Sequence, residues 1–184
     1  FKEKHDVPRG YLSVEEILKD DDISAIYIAT PIFLHYEIAL KALKHGKHVL
    51  VEKPMAMANK ECEELIAEAR KNNVKLGVSY YRRFFPKLQD VKRIIHEGVI
   101  GDIVHTRIIF HNWYNPDKED PKYWRVIKSK SGGGPLWDIG CHKFDMMLEL
   151  VGMPKTVYAV IDTMTHSYEV EDSCSALFEM ENGS

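Results

Sequence analysis

Three short apolar runs, at residues 23–29, 48–51 and 75–79, alternate with two stretches of helical spacing at residues 34–44 and 59–71. In the first stretch Ile38, Ala42 and either Leu43 or His45 fall on one face, and Gly46 can close the helix. In the second, Cys62, Leu65, Ile66 and Ala69 repeat at helical intervals, with Asn59 available as a cap. Ser13-Val14-Glu15-Glu16 is a capping box that predicts a short helix over residues 14–19. Strand, helix, strand, helix, strand with short links predicts a parallel sheet with right-handed crossovers. His48-Val49-Leu50-Val51 is its expected buried strand.

From Tyr80 the pattern changes. Pro86 can occupy the first turn of a helix whose inner face is Leu88, Val91, Ile94 and Ile95, ended by Gly98. Residues 103–112 alternate, with Val104, Ile108 and Phe110 on one side and His105, Arg107 and His111 on the other. This predicts a long strand. A polar, aromatic loop follows over residues 113–131, then a helix over residues 136–150 stopped by Gly152 and Pro154. Two further strands are expected at residues 156–163 and 172–180. Long alternating strands in hairpin order point to a largely antiparallel open sheet. The chain thus divides into residues 1–79, α/β with a parallel sheet, and residues 80–184, α+β. Ile108, Phe110, Phe178 and Met180 give the second sheet an apolar face that predicts a homo-oligomer.

Composition narrows the function classes. The 184 residues are 45% hydrophobic and 29% charged, ordinary for a globular protein. A net charge of -3 and a pI near 6.3 give no reason to expect nucleic acid or a membrane as partner. Three cysteines, Cys62, Cys141 and Cys174, form no C-x-x-C pair. Neither a zinc site nor a disulfide framework is indicated, and reduced thiols suit the cytoplasm. No apolar run is long enough to span a bilayer. Residues 1–7 read as the end of a helix without its start. Glu181-Asn182-Gly183 reads as a hairpin turn without its return strand. A fragment of a longer protein is therefore expected.

Two stretches carry chemistry. Glu52-Lys53-Pro54 directly follows the second strand, at the strand end where open α/β sheets bind ligands; a solvated turn is the alternative. The helix after Gly132-Gly133-Gly134-Pro135 carries Asp138, His142, Asp145 and Glu149 as a polar stripe. Residues four apart are helix neighbours, so Asp138 and His142 can act on one ligand. A solvated helix face and a flexible glycine turn are the alternatives there.

Taken together these stretches resemble a known family. The order TPxxxH (Thr30 to His35), EKP (Glu52 to Pro54), RRFxP (Arg82 to Pro86), WR (Trp124-Arg125) and GGGxLxDxGxH (Gly132 to His142) is similar to that of the glucose-fructose oxidoreductase and inositol 2-dehydrogenase (Gfo/Idh/MocA) family. The resemblance covers nearly the whole chain. It implies part of a Rossmann domain, then part of an α/β substrate domain whose open sheet often forms the oligomer interface. It implies oxidation or reduction of a sugar, inositol or related polyol with NAD or NADP. Thr30, Pro31 and His35 match a segment that lines the cofactor. Glu52 matches a contact on the nicotinamide ribose side, and Trp124-Arg125 match a pair that reaches the cofactor in some members. Lys53 matches the catalytic lysine, which also lies against the cofactor. Asp138 and His142 match the substrate-binding and acid/base pair.

The chemistry is coherent on its own terms. Hydride leaves a carbinol carbon only as its hydroxyl loses a proton. An imidazole, with an ordinary pKa of about 6.5, suits that proton transfer, which is the part expected of His142. Lys53 can stabilise the developing negative charge on the same oxygen, and Asp138 can hold a sugar hydroxyl or orient His142. The G-x-G-x-x-G turn that cradles the pyrophosphate is expected before Phe1. The intact parent is thus expected to be the enzyme, and the fragment a poor one. A cofactor- or sugar-sensing protein that has lost catalysis is the alternative. A plain oligomerisation module ranks last, because it needs no Lys53, Asp138 and His142.

Other residues keep two readings. Trp113, Tyr114, Tyr123 and Trp124 could stack on sugar rings or only pin their loop. Arg82-Arg83 could bind an anion or form a hinge salt bridge. His105 and His111 have no third ligand nearby, so no metal is expected.

Overall fold

A computed structural model describes residues 2–184. The chain forms two compact units, Phe1–Ser79 and Tyr80–Ser184. Of the helix end expected at residues 1–7, Glu3–His5 form a single 3-10 turn; Phe1 lies outside the described residues.

In the first unit the strands β1 (Ala25–Ile28), β2 (His48–Val51) and β3 (Leu76–Val78) run parallel in the order β1-β2-β3. Ile28 stands beside Val51, and Val51 beside Val78. Helix α1 (Val14–Leu18) starts at Ser13, whose hydroxyl accepts the Glu16 N–H. The returning bond of the box goes to the N–H of Leu12, one residue before the cap. Helices α2 (His35–Lys44) and α3 (Asn59–Lys71) are the crossovers. Ile28, Val49 and Val51 pack with Ala39, Ala42 and Leu43 of α2 and with Leu65 and Ala69 of α3.

Three expectations are corrected here. β2 is only half buried: Val49 and Val51 are covered, while Leu50 is 45% exposed. Successive side chains of a strand point to opposite faces, and among the described residues the helices cover the face of Val49 and Val51. The inner stripe of α2 is His35, Ala39, Ala42 and Leu43, and His45 is exposed. Asn59 is the first helical residue rather than the cap, which is Ala58; its amide donates along the helix to Glu63 at 2.8 Å.

In the second unit α4 (Pro86–His96) starts on its proline and buries Leu88. Val91, expected inside, is exposed. The loop over residues 113–131 contains a 3-10 turn, Tyr123–Val126, and the short helix α5 (Lys128–Ser131). Helix α6 (Cys141–Val151) continues a π-helical turn, Leu136–Gly140, so the expected helix is present with a widened first turn. β4 (Pro154–Asp162) and β5 (Ser173–Met180) pair antiparallel, with Ala159 opposite Ala176.

Residues 103–112 are not a strand. Their alternation is suited to one, but a strand needs a ladder partner. Among the described residues none of their backbone groups joins one. The apolar face is also redistributed. Met180 is buried, whereas Ile108 and Phe110 are exposed together with Val157, Tyr158, Val160, Ile161 and Leu177.

Candidate active site

The predicted residues fall in two groups, one in each unit. In the first unit they gather where β1 and β2 end. His35, 1% exposed, is the first residue of α2. Its Nε2 contacts the carbonyl of Thr30 at 2.8 Å, and its Nδ1 contacts the carbonyl of Pro54 at 2.9 Å. Both ring nitrogens thus face backbone carbonyls. The ring thereby ties the Thr30-Pro31 bend to the Lys53-Pro54 bend. Both nitrogens are thereby committed to backbone.

Glu52 extends the ladder, its N–H donating to Ile28 O at 2.8 Å. Its carboxylate accepts from the hydroxyl of Tyr27 and from the N–H of Lys53, the latter at 3.2 Å. The bond to Glu52 pushes the Tyr27 hydroxyl above its ordinary pKa. Each carboxylate oxygen is held, and each keeps acceptor capacity for a ligand. Lys53 follows, joined to Pro54 by a cis peptide. Beside them the Thr30 hydroxyl is buried, with no hydrogen-bond partner among the described residues.

The second group is built on α6 and the turn before it. The glycines of Gly132-Gly133-Gly134 are required by close packing. Gly132 has φ +78°, and a Cβ there would lie 2.9 Å from the Trp137 ring nitrogen. A Cβ on Gly134 would collide with the backbone carbonyl of Glu171. The Glu171 carboxylate accepts the N–H groups of Gly134 and Leu136 at 2.7 and 3.1 Å. An anion at a helix start satisfies N–H groups that have no helical partner. This fixes the turn from which Asp138 projects.

Asp138 pairs with Arg125 at 3.5 Å. The Arg125 guanidinium also lies over the Trp124 ring, 5.6 Å from its centroid. Asp138 and Arg125 line a cavity of about 510 Å³ together with Asn112, Trp113 and Tyr114. Trp113 rests on His166 at 4.7 Å between ring centroids, yet remains 72% exposed. The loop aromatic is thus pinned on one side and open on the other.

His142 is 2% exposed. The rings of Tyr80 and Tyr81 meet it edge-on, with centroids at 5.9 and 5.5 Å. Asp145, one turn further, is 5% exposed. The stripe of Asp138, His142, Asp145 and Glu149 is therefore not a solvated face. Arg83 donates through Nε and Nη2 to one oxygen of Asp145 at 2.8 and 2.5 Å, and through Nη1 to Glu149 at 2.9 Å. Asp145 pushes the Arg83 guanidinium above its ordinary pKa, and Lys92 holds Glu149 below its own. Of the two readings for Arg83, the structure supports a carboxylate partner on its own domain.

Sequence reasoning missed Tyr27, Glu171 and the Arg83–Asp145 pair. The last two join residues 37 and 62 positions apart in the chain, and no local pattern announces such a pairing.

Both units match known protein families. Residues 1–80 match the oxidoreductase family with an NAD-binding Rossmann fold, and residues 88–184 match the GFO/IDH/MocA C-terminal domain. The chain belongs to the Gfo/Idh/MocA oxidoreductase family. Among curated relatives it is 35% identical over 181 residues to a trans-1,2-dihydrobenzene-1,2-diol dehydrogenase of Xenopus tropicalis, covering 97% of this chain and 52% of that protein. It is 35% identical over 171 residues to a scyllo-inositol 2-dehydrogenase (NADP(+)) of Bacillus subtilis, covering 92% and 47%. A solved levoglucosan dehydrogenase in complex with NADH and levoglucosan superposes with a TM-score of 0.85 at 30% identity, covering 100% of this chain and 51% of that one. The chain thus spans about half the length of these Gfo/Idh/MocA relatives.

The first unit also offers groups that could hold a nicotinamide cofactor. Glu52 offers a fixed carboxylate at a strand end, and the buried Thr30 hydroxyl has no partner among the described residues. Both suit the hydroxyls of a ribose.

Proposed function

We propose that the intact protein containing this chain is a nicotinamide-dependent oxidoreductase acting on a secondary hydroxyl of a sugar, inositol or related polyol. The observation that carries this reading is His142: a buried imidazole between two tyrosine rings, on the same helical stripe as an Asp138 that lines a cavity. The printed activities of the relatives, on a dihydrodiol, scyllo-inositol and levoglucosan, support the same substrate class.

Each residue has a chemical part. Glu52 and Thr30 would hold the ribose hydroxyls of the cofactor, NAD or NADP, with Pro31 shaping the same bend and His35 fixing it. Trp124 and Arg125 would contact the cofactor, as the family resemblance implies. The cofactor, when bound, supplies the two-electron acceptor or donor. His142 takes the proton from the substrate hydroxyl, or returns it in the reverse direction. The Lys53 ammonium would stabilise negative charge that develops on a substrate oxygen. Asp138 binds a neighbouring hydroxyl, with the exposed face of Trp113 available to the sugar ring.

No G-x-G-x-x-G turn occurs in the 184 residues. The activity proposed is that of the intact protein, and the chain alone is expected to bind nucleotide weakly. The exposed apolar residues of β4 and Leu177 support a homo-oligomer, to be checked by sedimentation at high concentration. Cys62, Cys141 and Cys174, which form no disulfide among the described residues, support a cytoplasmic location.

The deciding assay follows absorbance of the reduced nicotinamide with a panel of polyols and aldoses, offered with both nucleotides. Stereoselective turnover supports the reading. Tight binding of nucleotide and sugar without turnover would replace it with the sensing protein.

A further inference from the structure

We propose that Arg83 is a positioning residue for His142, an inference that rests on the acid/base reading of that histidine. Arg83 belongs to the 3-10 turn Tyr81–Phe84, between β3 and α4. Its three N–H contacts grip α6 at Asp145 and Glu149, one and two helical turns beyond His142. The same turn brings Tyr80 and Tyr81 edge-on against the imidazole. The ring is therefore enclosed in a circuit. His142 leans on two tyrosines, the tyrosines share a backbone turn with Arg83, and Arg83 is clamped to the helix that carries His142. The turn itself is secured, since the Arg83 N–H donates to Tyr80 O at 3.2 Å and the Gln89 amide donates to Arg83 O.

The clamp requires an arginine. A planar guanidinium can address Asp145 with one edge and Glu149 with its remaining nitrogen, whereas an ammonium is a single point of charge. Asp145 is nearly fully buried, and its second oxygen has no hydrogen-bond partner among the described residues. Its charge is compensated by Arg83, so the contact holds its geometry rather than sampling many. An anion-binding role is disfavoured because Nε, Nη1 and Nη2 are all committed to these two carboxylates. What remains is geometric: the turn, the two rings and the helix move as one body around the imidazole. Proton transfer is sensitive to that geometry, and a displacement of about 1 Å can cost on the order of 100-fold in rate.

The test uses the intact protein and a polyol substrate found in the assay above. Arg83→Lys is compared with wild type, and the same change is made in a His142→Ala background. The expected result is a kcat about 100-fold lower, with KM and nucleotide affinity changed by less than about threefold. In the His142→Ala background the lysine should cause no further loss, because two changes acting through one group are not additive. If Arg83→Lys lowers the rate by the same factor in both backgrounds, the acid/base reading stands and the positioning role falls. The positioning role also falls if KM rises while kcat is retained. If His142→Ala alone leaves turnover intact, the acid/base reading falls and the inference with it. Should Arg83→Lys fail to fold, Glu149→Gln weakens the Nη1 contact and the Lys92 pair while leaving both bonds to Asp145 in place, and Lys92→Met serves as the control for the loss of the Lys92 pair. Glu149→Gln should show the same kcat-only loss at about fivefold, roughly the value of one hydrogen bond. Wild-type kcat in that variant would overturn the proposal.

Discussion

The two groups of candidate residues are held by different forces. In the first unit the Lys53 bend is fixed almost entirely by backbone. A parallel ladder runs into Glu52, and one buried histidine ties two carbonyls together. In the second unit the His142 helix is fixed by charge. Glu171 holds its start, Arg125 holds Asp138, and Arg83 holds Asp145 and Glu149. Bonds to backbone carbonyls and amides need no charged partner, although the His35 ring and Pro54 are themselves 19 positions apart. Ion pairs span long stretches of sequence and fail badly when one partner is lost. The second group should therefore be the more fragile to single substitutions, and the easier to restore by double ones.

The largest stability effect is expected from Arg83→Met. It leaves the Asp145 carboxylate buried and uncompensated, which costs about 3 kcal/mol. Adding Asp145→Leu should recover most of that, since an apolar pair often replaces a buried ion pair without loss. Urea unfolding of the intact protein measures both. If the double variant is as unstable as the single one, charge burial is not what the arginine relieves.

His35→Ala sharpens the other side. It removes a buried ring and two carbonyl contacts, at a cost of about 2 kcal/mol. No second-site change of charge should restore it. A charge substitution that did so would erase the contrast between the two groups.

A smaller effect depends on pH. Asp172 accepts the N–H groups of Met164, Thr165 and His166, and also faces the His166 ring at 3.0 Å. These bonds, the Met164 N–H first, hold its carboxyl well below the usual range. A depressed folded-state pKa adds stability that is complete above the ordinary carboxylate value, about 4, and is lost as pH falls below it. Asp172→Asn should therefore differ from wild type at neutral pH, with the difference shrinking in acid. A difference that stayed constant with pH would show that the loop is not held by this charge.

The contrast also explains what could be read in the chain. The first unit was legible because its signals are local: apolar runs at strand length, helical spacing, and a proline after the charged pair. Its errors were of face and boundary. His45 gave way to His35 because a buried ring with two carbonyl partners outweighs simple periodicity. Residues 103–112 have a strand's alternation, but alternation records which side is apolar and not whether a ladder partner lies alongside. The Asp138 and His142 stripe was legible from spacing. Its support was not, because Arg83 and Glu171 reach it from 62 and 37 residues away. The packed glycines were invisible for the same reason, their neighbour Glu171 being remote in sequence.

The central proposal is that Lys53 and His142 each serve the chemical step more than the binding of nucleotide. Single-turnover kinetics of Lys53→Ala and His142→Ala in the intact protein, with nucleotide affinity measured alongside by calorimetry, test it most directly. The account predicts that each variant loses about 100- to 10,000-fold in the rate of nicotinamide reduction, with nucleotide affinity kept within about threefold. Wild-type rates in either variant would contradict the assignment, and so would a loss that follows nucleotide affinity alone.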